Sequence, residues 1–248
     1  MTEVSDSSTR HGLRETATLV VILAFLMNLL SRGFGETFAV FLLPIESEMG
    51  WTRTTLAGIY AIYMGAHGLA GGVIGWFVDR VGPRIVYTIG LLIYGLAFSL
   101  ARFGTEPWHF YLTTGVMAGI AMTAIGMTTD TVLITRWYQG PRARQLSPAI
   151  GIAYSGMGAG VILWIPITNE LIEMLGWRET YRTLGIILCV LAVIVYVLPW
   201  RKLQLTTFPF SRFGGVLGDS TDGHLRAALQ TKMFWLLCVI MFITAVAM

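Results

Sequence analysis

The 248-residue sequence predicts an all-α polytopic membrane protein, and three observations carry that prediction. Hydrophobic residues make up 55% of the chain and charged residues only 12%, about half the charged fraction usual for a soluble domain. The apolar residues gather into successive runs, each near or above the ~20 residues that a helix needs to cross a hydrocarbon core. The basic residues collect at alternate ends of those runs, the pattern produced when Lys- and Arg-rich loops stay on the cytoplasmic face.

Residues 1–16 are polar and carry Arg10, His11 and Arg14 without a periodic apolar face, so they read as a cytoplasmic tail. The run that follows, at about 19–43, exceeds the ~7–15 residues of a signal-peptide core and lacks a small-residue cleavage site, which makes it a retained span. Further runs lie at about 54–78, 85–101, 108–135, 146–169 and 180–198. Together they form a six-helix transmembrane region over residues 17–200. Residues 201–226, with a Gly/Ser/Thr-rich stretch that also holds Asp219 and Asp222, read as a cytoplasmic linker. Residues 227–248 are the start of a seventh transmembrane helix, truncated by the end of the sequence.

With the amino terminus in the cytoplasm, most of the 17 Lys and Arg residues fall inside, among them Arg80, Arg84, Arg136, Arg142, Arg144, Arg201 and Lys202. Arg53, Arg102, Arg178 and Arg182 fall outside, and Arg32 lies within a span. This bias sets the orientation. Cys189 and Cys238 both sit inside apolar runs, where they read as small buried apolar residues rather than a disulfide pair.

An internal repeat organises the spans. Asp79-x-x-Gly82-x-Arg84-x-x-Tyr87 recurs as Glu173-x-x-Gly176-x-Arg178-x-x-Tyr181, an offset of 94 residues (79 to 173). The first copy joins spans two and three, the second joins spans five and six, and the two lie on opposite faces. Two three-helix repeats of inverted topology place equivalent loops this way. The same offset carries Glu36 onto Asp130.

Those two carboxylates and Arg32 are the intramembrane charges. Each costs on the order of 2.5–3.5 kcal/mol near the bilayer centre on insertion scales, so such groups face a cavity or a partner. Arg32 and Glu36 are four apart on one helix, and Asn28 and Gly35 extend the same face. Two readings stand: a mutual ion pair that only eases insertion, or a face that lines a substrate path. Glu36 lies one turn outward of Arg32, about 6 Å along the helix, whereas Asp130 falls in the inner half of the fourth span. Direct pairing of Glu36 with Asp130 is therefore not expected. Gly119, Thr123 and Gly126 share the Asp130 face, which suits close packing or a wet cavity. His67, on a face with Tyr60, Tyr63 and Gly71, is either a hydrogen-bonded structural residue or a proton-exchanging one.

Between spans two and three runs Gly75-Trp76-Phe77-Val78-Asp79-Arg80-Val81-Gly82-Pro83-Arg84. Asp79 stands at a helix carboxyl end, where the dipole disfavours an anion, so it needs cationic partners. Arg80 and Arg84 are the nearest in sequence. The segment resembles the G-x-x-x-D-R-x-G-x-R loop of the major facilitator superfamily, through Gly75, Asp79, Arg80, Gly82 and Arg84. That resemblance implies an amino-terminal six-helix half, a loop that gates the cytoplasmic side, and a carboxy-terminal half that this sequence lacks. Phe34-Gly35-Glu36-Thr37, Gly50-Trp51-Thr52-Arg53, Arg136-Trp137-Tyr138, the glycines of 151–160 and Gly176-Trp177-Arg178 are similar to monocarboxylate-transporter-like and oxalate/formate-antiporter-like members. Two departures stand out. Glu36 aligns where several animal monocarboxylate carriers have lysine, and the 139–147 loop is longer.

No P-loop, closely spaced metal-ligand set or nucleophile beside a base is legible, so no enzymatic site, metal or cofactor is expected. The glycines of 151–160 follow no strand and suit helix packing. The basic residues follow topology, so no nucleic-acid partner is expected. The expectation is a secondary active transporter in a cell (inner or plasma) membrane that moves a small solute, such as an organic anion or monocarboxylate, by alternating access with proton or counter-substrate coupling. Arg32, Glu36, Asn28 and Asp130 are the candidate substrate-binding residues, and Glu36, Asp130 and His67 the candidate proton-coupling ones. The alternatives are a truncated, non-transporting membrane scaffold and a half-carrier that works as a dimer.

Overall fold

The computed structural model describes residues 3–138 and 140–198, together with Trp200, Thr231 and Leu236, and their side chains from Thr16 onward apart from residues 140 and 141. The expected linker at 201–226 and seventh span at 227–248 lie outside the described residues, Leu236 and Thr231 apart. Every described regular element is helical, and six helical stretches are long and apolar enough to cross a membrane.

The first stretch is α1 (Glu3–Glu36) followed by α2 (Phe38–Met49). Helix α1 starts within the segment expected as a tail, and the two helices meet at Thr37, whose hydroxyl donates to the Phe34 carbonyl at 2.7 Å. Gly50, with φ 66°, ends α2 in the left-handed region. Thr52 then caps α3 (Arg53–Val81) by accepting from the Thr55 N–H at 3.2 Å, the usual role of a hydroxyl at a helix start.

Gly82 ends α3 and opens α4 (Pro83–Ala101) in a single residue, with φ 82° and ψ 163°. Gly176 does the same between α8 (Leu146–Leu175) and α9 (Trp177–Val197), at φ 78° and ψ 162°. The Gly82 N–H donates to the Val78 carbonyl and the Gly176 N–H to that of Ile172, both at 2.9 Å. These bonds too are related by the 94-residue offset. A non-glycine side chain is strained by ~1–3 kcal/mol in this region of backbone space. No atom lies within 4 Å of a Cβ built on Gly176, so Gly176→Ala should lower stability by about that amount through the backbone alone. A thermal unfolding series in lipid with Gly151→Ala, also in open space but inside α8, measures it. Equal midpoints would remove the strain argument.

The fourth span departs from the continuous helix that its hydropathy predicts. It runs as α5 (Pro107–Phe110), a π-helical stretch Tyr111–Met117, α6 (Ala118–Ile125) and α7 (Met127–Trp137). Gly126 breaks it because the first span passes too close: a Cβ there would stand 2.7 Å from Ser31 Oγ. Ser31 fills the break by donating to the Met122 carbonyl at 3.0 Å, the kind of side-chain rescue that broken membrane helices require.

The bundle is paired as an inverted repeat demands. The first span packs on α8, the fourth packs on α3, and α4 packs on α9. Small residues permit the closest contacts: Gly156 and Gly160 lie against the backbone of Phe25 and Leu29, and Gly95 against Gly185 and Cys189. Cys189 is a free thiol packed there. Helices α3 and α8 are flanking elements, with only 17% of their membrane windows buried, against 61% for the first span and 67% for the fourth. Their open faces include Gly65, Gly68, Gly72 and Gly158, with nothing within 4 Å.

Candidate functional site

The charged group within the membrane region is built on the last two turns of α1. Arg32 Nη2 lies 2.9 Å from Glu36 Oε1, with the two side chains 38% and 23% exposed. The ion pair therefore exists and keeps part of its surface exposed. It belongs to a partly open strip of α1 that continues through Leu29 and Leu26, at the spacing of one helix face. Glu36 has a second partner, the Tyr60 hydroxyl on α3, which donates to Oε2 at 3.5 Å.

Behind this strip the residues are engaged by neighbouring spans. Asn28 is 1% exposed and turns into the contact with α8, where its amide donates to the Ala24 and Ala153 carbonyls, both at 3.1 Å. It fixes the first span against the fifth. Gly35 admits the Tyr63 hydroxyl, since a Cβ at Gly35 would stand 2.1 Å from it. His67 Nδ1 is 2.8 Å from Thr123 Oγ1, which also donates to the His67 and Gly119 carbonyls at 3.0 Å. Gly119 lies against the backbone of Tyr63 and His67. The face expected to be either packed or wet is packed at Gly119, Thr123 and Gly126.

Asp130 is wholly enclosed, at 0% exposure. It accepts a hydrogen bond from Tyr87 of α4, while its Oδ2 has no hydrogen-bond partner among the described residues. Glu36 and Asp130 thus belong to separate hydrogen-bonded sets, as their depths require.

The loop between α3 and α4 is wired differently from what its sequence neighbours suggest. Asp79 pairs with Arg136 of α7 at 3.1 Å, not with Arg80 or Arg84. Arg80 lies over the Trp76 ring at 4.2 Å, and Arg84 donates to the Tyr196 carbonyl at 3.0 Å. Residues one and five positions after Asp79 leave the end of α3 in other directions, so an arginine from the neighbouring span satisfies the carboxylate. A Cβ on Gly75 would meet only Thr128, at 3.9 Å. At the opposite end of the bundle, Glu48 receives hydrogen bonds from Trp177 Nε1 and Arg178 Nε. Arg178 also donates to the Arg102 carbonyl at 2.8 Å. The G-W-R segment is therefore a clamp joining three loops.

Inverted pairing of six membrane helices, a glycine hinge repeated at Gly82 and Gly176, and an open charged strip on the first span narrow the family. A family model described as the Major Facilitator Superfamily matches residues 21–248. The chain belongs to that superfamily. Its similarity to curated members is distant but long. It is 25% identical over 170 residues to an uncharacterized MFS-type transporter of Bacillus subtilis, covering 68% of this chain and 40% of that protein. It is 26% identical over 191 residues to Monocarboxylate transporter 14 of Mus musculus, covering 76% and 36%, and 25% identical over 240 residues to a D-galactonate transporter of Escherichia coli, covering 92% and 53%. The chain thus spans about half or less of the length of these relatives. In this major facilitator chain, six apolar helices define a multi-pass membrane protein surrounded by lipid. The sequence reading missed Ser31 and the Arg136 partnership, which depend on contacts between spans.

Proposed function

We propose that this chain is the amino-terminal half of a secondary transporter for small organic anions, working by alternating access with a coupled proton. The observation that carries the reading is the half-open Arg32–Glu36 pair. A cation whose ion-pair partner among the described residues is a titratable carboxylate can exchange that partner for a solute carboxylate once the glutamate is neutral. The names of relatives such as Monocarboxylate transporter 14 and the D-galactonate transporter support a carboxylate-bearing solute. Arg32 binds the anion and Glu36 takes the proton. Asn28 and Asp130, closed by α8 and Tyr87, and the partly exposed His67, held by Thr123, keep the spans in place around them. The amino terminus is cytoplasmic in a cell membrane, Asp79, Arg80 and Arg84 lie at the cytoplasmic gate, and the second half of the carrier covers the open faces of α3 and α8.

The test is uptake of labelled small carboxylates into proteoliposomes under an imposed pH gradient, by the chain alone and by a version extended through the downstream reading frame. Uptake by the extended version only is expected; uptake by the 248-residue chain would instead favour a dimeric half-carrier. In the extended version, Arg32→Gln removes a charge-assisted contact worth ~1.5–3 kcal/mol, so the KM should rise about ten- to a hundredfold. Unchanged uptake and affinity at normal membrane abundance would take Arg32 out of the site.

A further inference from the structure

Beside Glu36 lies a small, partly open cavity of about 10 Å³, lined by Gly35, Tyr60, Tyr63, Phe98, Tyr94 and Tyr181, among others. That is room for a single water-sized group. Tyr94 and Tyr181 are 0% and 1% exposed; the Tyr181 hydroxyl has no hydrogen-bond partner among the described residues, and the Tyr94 hydroxyl neighbours that of Tyr63. A buried hydroxyl left unpaired is destabilising, so the Tyr181 hydroxyl on this cavity points to a polar visitor.

The inverted repeat identifies the visitor. The offset that relates Gly82 to Gly176 carries Tyr87 onto Tyr181 and Asp130 onto Glu36. The first combination is joined, with Tyr87 donating to Asp130. The second is not, because Glu36 is drawn to Arg32 and Tyr60, and the hydroxyl of Tyr181 is left over. Gly35 lines the cavity one residue before Glu36, and Tyr60 both lines the cavity and contacts the carboxylate.

We propose that this cavity receives the protonated carboxyl of Glu36, which leaves Arg32, turns past Tyr60 and hydrogen-bonds the hydroxyls of Tyr94 and Tyr181. The proton comes from the aqueous side and forms an O–H bond on a Glu36 carboxylate oxygen; no other covalent bond changes. The neutral acid gives up little on leaving Arg32 and gains two hydroxyls, while the anion has every reason to stay. The groups that face Glu36 are Arg32 on its own helix, Tyr60 and Tyr63 from α3 and Tyr94 from α4; His67 of α3 interacts with Arg32, and Tyr181 from α9 lines the cavity. The fourth span contributes Met122 and Thr114, which do not titrate. Arg32 is freed for the solute anion in the same step, so this inference rests on the proposed transport reading and explains how proton and anion would bind together.

Infrared difference spectroscopy of the 248-residue chain in lipid nanodiscs, titrated from high to low pH, tests it. A carboxylic-acid carbonyl band that disappears in Glu36→Gln is expected, at the lowered frequency of a hydrogen-bonded acid. Tyr181→Phe and Tyr94→Phe keep the rings and their packing. Each should raise the band frequency and weaken proton binding about three- to tenfold, the effect of one net hydrogen bond of ~0.5–1.5 kcal/mol. A Glu36 band unmoved by both substitutions overturns the proposal, and so does the absence of any Glu36 band across the titration. If Tyr181→Phe does not fold, Tyr94→Phe reads the same cavity from α4, and a free-acid frequency in the unaltered chain is itself decisive against the idea. The spectra need no transport. Proton-coupled uptake with a band indifferent to both tyrosines would sink this inference alone, while a responsive band without anion uptake would sink the transport reading alone.

Discussion

Gly160→Leu should abolish accumulation of folded protein. A Cβ on Gly160 would stand 2.2 Å from the Leu29 carbonyl oxygen and 2.9 Å from its carbonyl carbon. Both are backbone atoms of α1, so no side-chain rotation relieves the clash and the helices must separate. Overpacking typically costs ~1–3 kcal/mol and sometimes more; a rigid backbone contact puts this case at or beyond the upper end. Separation would also pull Ala153 away from the Asn28 amide, which donates to it at 3.1 Å, and open the contact of Gly156 with Phe25. The control is Gly158→Ala on the same helix. Nothing lies within 4 Å of a Cβ there, so it should be tolerated, with up to ~1 kcal/mol gained in helix propensity. Size-exclusion profiles and unfolding midpoints of the two variants provide the comparison. A well-folded Gly160→Leu protein would mean that α1 and α8 are not held in the close contact described.

The second large effect is expected at Tyr87. Interhelical hydrogen bonds in membranes average only about 0.6 kcal/mol, because an opened helix finds other partners in the bilayer. The Tyr87–Asp130 bond differs because its acceptor is a fully enclosed carboxyl with no second partner on Oδ2 among the described residues. Tyr87→Phe leaves that carboxyl with no donor, a penalty of ~1–3 kcal/mol. Replacing both partners removes the unsatisfied group along with the bond. The double variant Tyr87→Phe with Asp130→Leu should therefore be more stable than the sum of the single effects predicts, with a coupling above about 1 kcal/mol. Additive effects in unfolding measurements would show that the two side chains do not depend on one another.

How much of this was legible in the sequence differs from residue to residue. The spans could be read because every helix that crosses a bilayer must satisfy its own backbone and present apolar side chains over its whole length, which leaves a long and unambiguous signature. Gly82 and Gly176 were legible because a helix that ends and restarts in one residue needs a conformation that glycine adopts readily; both have positive φ. The Arg32–Glu36 pair was legible because i,i+4 residues on one helix are neighbours whatever surrounds them.

The partners of Asp79, Asp130 and His67 were not legible for the opposite reason. Each is satisfied by a residue on another span: Arg136, Tyr87 and Thr123. Which residue that is depends on rotation and depth of whole helices, set by small-residue contacts such as Gly160 on Leu29. The break at Gly126 has the same origin, since hydropathy through 108–135 is continuous and only the approach of Ser31 distinguishes that glycine from its neighbours.

What the sequence determined by itself was the set of quantities that are local along the chain: the membrane class, the six spans, their hinges, the repeat and the charged turn of the first span. Only the tertiary structure decided which charges remain open and which are closed. Arg32 and Glu36 stay half-exposed, while Asp130 and Asn28 are sealed. The reason is physical: within a bilayer the hydrophobic effect brings helices into the membrane but does not select their neighbours, so burial of a polar group is settled by close packing and hydrogen bonds between spans.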